Sequence, residues 1–291
     1  MTIDYNCSNK LFLKIYNNNE LCEELQNYVK KNKTRISLDL YFCNKNRWEF
    51  FLKRKPFYKL ALVYSFLPTV KRRYDYLGIS EEIFFDTMDD IRIWIDDHKS
   101  RTGEYGLYEL NWIMHHMNLD IFKIGRLQFQ KFKYYFNTSY KKDDTEFKFG
   151  EKILNIHIPR GERLNIDDCE KSISMAKDFF EKHFPNYPSN KFICHSWLLY
   201  PQNKDFMKEN SNILKFAKLF DIVKTTEHPA QTYLWIFGTK KNEKSLIENK
   251  KKFGKYGNTD NLPQKTSLQK SAVKYINNGG TFGEGMGVLI N

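Results

Sequence analysis

The stretch LNIHIPRGERLNIDDCEKSISMAKDFFEKHFPNYPSNKFICHSWLLY, residues 154–200, decides the fold, because two periodicities meet in it. It opens on the end of an apolar, β-branched run that finishes with Ile156 and Ile158, and Pro159 then ends strand pairing because it has no amide to donate. Arg160-Gly161 opens a loop. Asn165 is a good N-cap, with Asp168 three residues later near the positive end of a helix. From Ile166 to His183 the residues Cys169, Ile173, Ala176 and Phe180 recur at i, i+4, i+7 and i+11, the buried stripe of an α-helix. Pro185 and Pro188 terminate it, and KFICHSWLLY (Lys191 to Tyr200) reads as a strongly apolar strand closed by Pro201. Strand, crossover helix and strand make the unit of an α/β sheet.

The same alternation continues on both sides of this block. Ile121 to Tyr135 is rich in β-formers and reads as one strand or a bent pair. Tyr140 to Thr145 (YKKDDT) reads as a polar turn, and Phe147 to Ile158 as a second β-region. Downstream, Ser211 caps a short helix with Ile213, Phe216, Ala217 and Phe220 inward; QTYLWIF (Gln231 to Phe237) reads as a strand ended by Gly238, and Ser267 to Ile276 as a helix. Upstream the period is helical. Leu21, Leu25 and Val29 recur at four-residue spacing, and Phe57 to Val70 is densely apolar. Gly78 marks a stop, and Ser80 caps a helix with Phe84, Met88, Ile91 and Ile95 on one face and Asp86, Asp89, Asp90, Asp96 and Asp97 over much of the rest, which reads as a solvated face. A further helix is expected over Tyr108 to Met117. The fold class is therefore α+β, a mainly α-helical domain over residues 1–118 followed by a mixed α/β domain over residues 119–291.

Bulk properties agree with one large or two ordinary domains: 291 residues, 41% hydrophobic. No run approaches the ~20 apolar residues of a membrane helix, and the start MTIDYNCSNK lacks the basic-then-apolar pattern of a signal peptide. Cys7, Cys22, Cys43, Cys169 and Cys194 form no C-x-x-C pair and read as reduced thiols of a cytoplasmic protein, with no metal site among them. The net charge of +12 is spread over scattered lysines, which is the pattern of a solvated surface, although an anionic partner would suit it. The densest basic run is Lys240, Lys241, Lys244, Lys250, Lys251, Lys252 and Lys255.

The strings GRLQFQ (Gly125 to Gln130), HIPRGERL (His157 to Leu164), CEKSISMAKDFFEKHFP (Cys169 to Pro185), FICHSWLLYPQ (Phe192 to Gln202) and SNILKF (Ser211 to Phe216) resemble the bacterial acyltransferase-domain family. Its members join an N-terminal helical N-acyltransferase domain to a C-terminal GNAT-like domain. The resemblance covers most of residues 55–240. It implies that Leu154–Ile158 and Phe192–Tyr200 are the two central strands, that they splay apart, and that acyl-CoA, the co-substrate, inserts its pantetheine between them. One departure stands out. The family's Q/R-x-x-G-x-G/A pyrophosphate loop is replaced by P-R-G-E-R-L-N, which has a single glycine.

On this reading Arg160, Gly161 and Arg163 are the cofactor-binding candidates. A loop feeding a helix N-terminus is an anion site, and two arginines supply the charge that missing glycine amides would not; the bland alternative is a surface turn. The catalytic candidates are His195, His157 and Tyr200. Transfer to an amine needs a base for the ammonium proton and an acid for the leaving thiolate, and histidine titrates where either is possible; a buried structural histidine is the competing reading of His195. Tyr200 has the place at the second strand's end from which a tyrosine often protonates the thiolate in the family. Cys194 is expected to be buried and inert, since neighbours on a strand face opposite ways and His195 cannot easily activate it. His115 and His116 are adjacent on a helix and should point apart. The tail Gly279-Gly280-x-x-Gly283-x-Gly285-x-Gly287 lacks a following helix, so it reads as a terminal hairpin strand rather than a nucleotide loop. The expected function is acyl-CoA-dependent acylation of a small-molecule or peptide amine. The alternative is a non-catalytic module whose basic surface contacts nucleic acid or a protein partner.

Overall fold

A computed structural model describes residues 2–136, 140–142, 145–238, 259 and 262–290. The chain divides into two units, one of Met1–Gln130 with Ile158–Gly161 and Lys182–Phe184, the other of Lys131–His157, Glu162–Glu181 and Pro185–Asn291. The lysine run between Lys240 and Lys255 lies outside the described residues.

The first unit is built from α1 (Tyr5–Ile15), α2 (Asn19–Lys31), α3 (Lys33–Asn44), α4 (Pro56–Tyr76), α5 (Glu81–Thr102) and α6 (Leu110–Met117), followed by the hairpin of β1 (Ile121–Ile124) and β2 (Leu127–Lys133, whose last three residues belong to the second unit). Side chains cap the helices as their sequences suggest: Asn18 accepts from the Leu21 amide and Ser80 from the Ile83 amide. In α4 every residue from Tyr58 to Val70 is buried, so this helix forms the centre on which α1, α2, α3 and α6 pack. β1 and β2 pair antiparallel from Ile121↔Gln130 to Ile124↔Leu127, with Gly125 at φ 63° in the turn. Tyr74 joins helix to hairpin, its ring 5.2 Å from Phe84 and 5.7 Å from Phe122.

One acidic residue of α5 departs from the solvated face expected of it. Asp89 and Asp96 do hold Arg92 at the surface, but Asp90 is buried. Trp112 Nε1 donates to its Oδ2 at 2.6 Å, and His116 Nε2 lies 3.1 Å from the same oxygen. His115 points the other way, toward Asp120 at 3.7 Å, so the two neighbouring rings do diverge.

The second unit contains the hairpin β3 (Tyr140–Lys142) and β4 (Thr145–Phe147), then β5 (Lys152–His157), α7 (Ile166–His183, ending in the first unit), β6 (Phe192–Ser196), α8 (Asn212–Ala217), β7 (Phe220–Thr226), α9 (Ala230–Phe237), α10 (Ser267–Asn277) and β8 (Glu284–Leu289). The six-stranded mixed sheet runs β1-β2-β5-β6-β8-β7. Tyr134, Phe147, Ile153, Ile193, Met286 and Val288 form a buried cluster in this unit. The fold is thus a helical N-terminal region followed by a GNAT-like mixed α/β domain. α7 spans the residues its apolar stripe marks, and Asn165 Oδ1 accepts from the Asp167 amide at 3.3 Å at its start.

Several local expectations are corrected. Gln231–Phe237 is helical, within α9. Seven residues, five of them apolar, carry no clear period, and the chain terminates them as a helix, with Gly238 at φ 68° donating to the Leu234 carbonyl. Phe220 does not belong to α8 but opens β7, a strand whose mixed composition (FDIVKTT) conceals it. Of the polar segment YKKDDT, Tyr140–Lys142 and Thr145 belong to the paired strands β3 and β4, while Asp143 and Asp144 lie outside the described residues. The apolar run Lys191–Tyr200 is strand only to Ser196. There the Ser196 hydroxyl accepts from the Leu198 amide at 3.2 Å and Asn203 Nδ2 donates to the Trp197 carbonyl at 2.7 Å, folding Trp197–Leu199 into a 3-10 turn.

The glycine-rich tail does form a strand, but in the interior of the sheet, antiparallel to both β6 and β7. Its glycines admit a close crossing. A Cβ on Gly285 would fall 2.3 Å from the Leu199 carbonyl oxygen and 2.7 Å from its carbon, and one on Gly283 would meet the Tyr200 ring at 2.5 Å. The obstruction at Gly285 is backbone, which cannot rotate aside. Gly285→Ala is therefore expected to destabilise the fold by about 1–3 kcal/mol, the usual cost of overpacking, and to lower the urea midpoint. An unchanged midpoint would mean that the 3-10 turn is not held against β8.

Candidate active site

The site grows from the pairing of β5 with β6. The two strands are parallel, and their register is Leu154↔Phe192 and Asn155↔Ile193. β5 continues to His157 and β6 to Ser196, yet the pairing stops there. Carried on, the same register would set Ile156 opposite Cys194 and His157 opposite His195. On its other side β6 stays zipped to β8, through Cys194↔Gly287, His195↔Met286 and Ser196↔Gly285. The central strands therefore part after two rungs, with a histidine at the same level on each arm. Residues at one level of parallel strands share a face of the sheet, so the two imidazoles belong to the same face.

His195 is a half-exposed side chain, 41% accessible, at the end of a buried strand. Its Nε2 lies 3.4 Å from Glu284 Oε2, and its ring is 6.4 Å from that of Phe136. Glu284 is the first residue of β8, and only 8% of its side chain is accessible. Its other oxygen, Oε1, lies 3.3 Å from Nδ1 of His228, which is 62% accessible and follows β7. A buried carboxylate is costly unless paired; here it sits between two imidazoles. Nε2 is the ring nitrogen of His195 that lies beside the carboxylate, which leaves Nδ1 as the one turned from it.

Glu284 and His228 were not legible as site residues. Glu284 stands alone in a glycine tail, and the strand pairing that brings it to His195 is long-range. The one available signal was a single acidic residue inside an otherwise apolar and glycine-rich strand, GEGMGVL.

The remaining candidates occupy distinct places. His157 Nε2 is 3.2 Å from Nδ2 of Asn155, two residues back on β5. Tyr200 stands beyond the 3-10 turn rather than on β6; it is buried, and its hydroxyl is 3.4 Å from Thr281 Oγ1. Cys194 is fully buried, and burial pushes its thiol well above the ordinary range, which suits an inert side chain and not a nucleophile. Arg160 Nη1 reaches Asp97 Oδ1 at 3.0 Å, with its guanidinium 5.3 Å from the centre of the Trp94 ring, all within the first unit. Gly161 takes φ 100°, which glycine tolerates at no steric cost, and Arg163 is exposed.

A helical region that precedes, along the chain, a mixed sheet whose central parallel strands part defines the GNAT-like acyltransferase class. Residues 121–289 match the family model of the GNAT-like C-terminal domain, and residues 9–119 that of the N-acyltransferase N-terminal domain. The chain belongs to this two-domain N-acyltransferase family. Among solved structures, it is similar to an acyltransferase in complex with decanoyl-CoA and teicoplanin, at 22% identity and a TM-score of 0.65 over 80% of this chain and 66% of that one. It is also similar to an acyltransferase in complex with CoA and 10C-teicoplanin (21% identity, TM-score 0.65, 80% of this chain and 66% of that one). A mutant acyltransferase in complex with octanoyl-CoA gives 20% identity and a TM-score of 0.66 over 98% of this chain and 87% of that one. The chain thus spans just under two thirds of the length of the first two. No curated protein sequence matches it. Among the described residues, no helix is long and apolar enough to cross a membrane.

Proposed function

We propose that the protein transfers an acyl group from acyl-CoA to an amine. The observation that carries this is the parting of β5 and β6 after Asn155↔Ile193, with His157 and His195 on the two arms. Such a gap admits an extended pantetheine, whose amides suit the strand edges that no longer pair with each other. The neighbours crystallised with decanoyl-CoA and octanoyl-CoA support acyl-CoA as the donor, and those in complex with teicoplanin or 10C-teicoplanin support an amine-bearing acceptor.

In this mechanism the amine nitrogen attacks the thioester carbonyl carbon. The C–N bond forms, the C–S bond breaks, and the electron pair leaves on sulfur. His195 Nδ1 takes the surplus proton from nitrogen. His157, on the opposite arm, protonates the departing thiolate, a role for which Tyr200 is less suited because it is buried against Thr281. Backbone amides of β5 polarise the carbonyl oxygen. Arg160, Gly161 and Arg163, in the loop that feeds α7, hold the CoA phosphates.

Isothermal titration with acetyl-, octanoyl- and decanoyl-CoA tests the reading, and absence of binding at millimolar concentration overturns it. The double substitution Arg160→Ala with Arg163→Ala is expected to weaken binding of a CoA thioester by about 10–100-fold, the loss of one or two charge-assisted hydrogen bonds. Unchanged affinity would move the phosphate site elsewhere.

A further inference from the structure

We infer that Glu284 positions His195 as the base and that His228, on the same carboxylate, tunes how basic it is. This rests on the acyl-transfer reading above. The geometry is a single buried carboxylate whose two oxygens are divided between two imidazoles, His195 Nε2 at 3.4 Å from one and His228 Nδ1 at 3.3 Å from the other. The three residues come from separate places in the chain: β6, the segment after β7, and the start of β8. Glu284 pairs with Thr226 across β7 and β8, and Ser196 and Gly285 are paired across β6 and β8, so backbone pairing on both flanks fixes where the carboxylate stands.

The two histidines differ in what they face. His195 is on the arm of β6 that has left β5, while His228 is the more exposed of the two. His195 is therefore the base, and His228 is the group that solvent protonates. When His228 is neutral, Glu284 supports the imidazolium of His195 with its full charge and makes His195 a stronger base. When His228 is protonated, it draws on the same carboxylate and adds a like charge nearby, so His195 binds a proton less readily. The site then loses base strength as the medium acidifies.

Among the described residues, other charged groups flank this carboxylate. Lys224 on β7 lies opposite Met286 and, by strand alternation, on the face of Glu284; Asp221, farther along β7, takes the Tyr140 hydroxyl at 3.1 Å; and Glu227 precedes His228. None of them is altered in the variants below, so each contributes equally to every titration compared.

The test is a histidine titration followed by NMR on the full chain without acyl-CoA, with the His195 signal assigned by its loss in His195→Gln. Glu284→Gln is expected to lower the His195 midpoint and His228→Asn to raise it, the directions that removal of an opposite and of a like charge gives. A His195 midpoint that does not move in Glu284→Gln overturns the positioning. A midpoint that stays or falls in His228→Asn overturns the tuning. Should Glu284→Gln fail to fold, His228→Asn alters only an exposed side chain and still decides. The acid limb of kcat/KM against pH should move with the same signs, a change that loss of packing alone would not produce. Because the titration needs no CoA, failure of the acyl-transfer reading would appear separately, as absence of acyl-CoA binding in a protein whose histidines remain coupled.

Discussion

His195→Ala is expected to lower kcat for acyl transfer by about 10²–10⁴-fold, the range associated with a positioned general base, and to leave acyl-CoA affinity unchanged. The affinity should hold because His195 acts on the incoming amine and not on the thioester's phosphates or pantetheine. The proton leaves nitrogen only as the C–N bond forms, so the interaction exists in the transition state and kcat and kcat/KM should fall together. Release of CoA thiol from decanoyl-CoA in the presence of an amine acceptor measures it. The structure makes the substitution a clean one: His195 is half-exposed, its backbone is held by β8, and its loss opens no core cavity. The Glu284 carboxylate would retain His228. If kcat is unaffected in His195→Ala, the base lies elsewhere, and His157 on the facing arm becomes the residue to remove.

The sequence made the frame of this site legible. α7 could be placed because its apolar stripe is long and its ends are marked, by Asn165 at the start and by Pro185 just beyond the finish. β5 could be read from Ile153, Leu154 and Ile156 before Pro159. With a crossover helix between them, two such strands had to run parallel, and that put His157 and His195 on neighbouring strands. What stayed hidden was contributed by long-range pairing. β8 inserts between β6 and β7, and nothing local in TFGEGMGVLI announces that its glycines answer the Leu199 carbonyl and the Tyr200 ring. Glu284 reaches His195 only through that insertion. The run KFICHSWLLY hid its own end, because Trp197, Leu198 and Leu199 are as apolar as the strand before them and only the side chains of Ser196 and Asn203 turn the chain. The parting of β5 and β6 is likewise a matter of where rungs cease, which composition does not record.

Asp90 shows the same limit in the first unit, and the second large effect is expected there. Its spacing placed it on the polar face of α5, but the Trp112 indole and the His116 ring close over it. Asp90→Ala is expected to destabilise the protein by about 3–5 kcal/mol, the cost of removing one partner of a buried charged group and leaving the other unpaired. His116, fully buried, would face the vacated space, and the Trp112 N–H would lose its acceptor. The acid behaviour follows from the direction of the carboxyl's pKa. Burial acts to raise it, but the contacts from His116 and Trp112 outweigh burial and hold it below the usual value. A carboxyl lowered on folding stabilises the folded state above the unfolded pKa of about 3.9 and loses that contribution as pH falls through its folded value. Urea unfolding from pH 7 down to the acid limit should therefore show wild-type stability declining below about pH 4, with a shallower decline in Asp90→Asn, which keeps the shape and removes the titration. Equal slopes for the two proteins, or a loss in Asp90→Ala of under about 1 kcal/mol, as for a surface carboxylate, would mean that Asp90 is solvated after all and that the Trp112–His116 closure does not hold in solution.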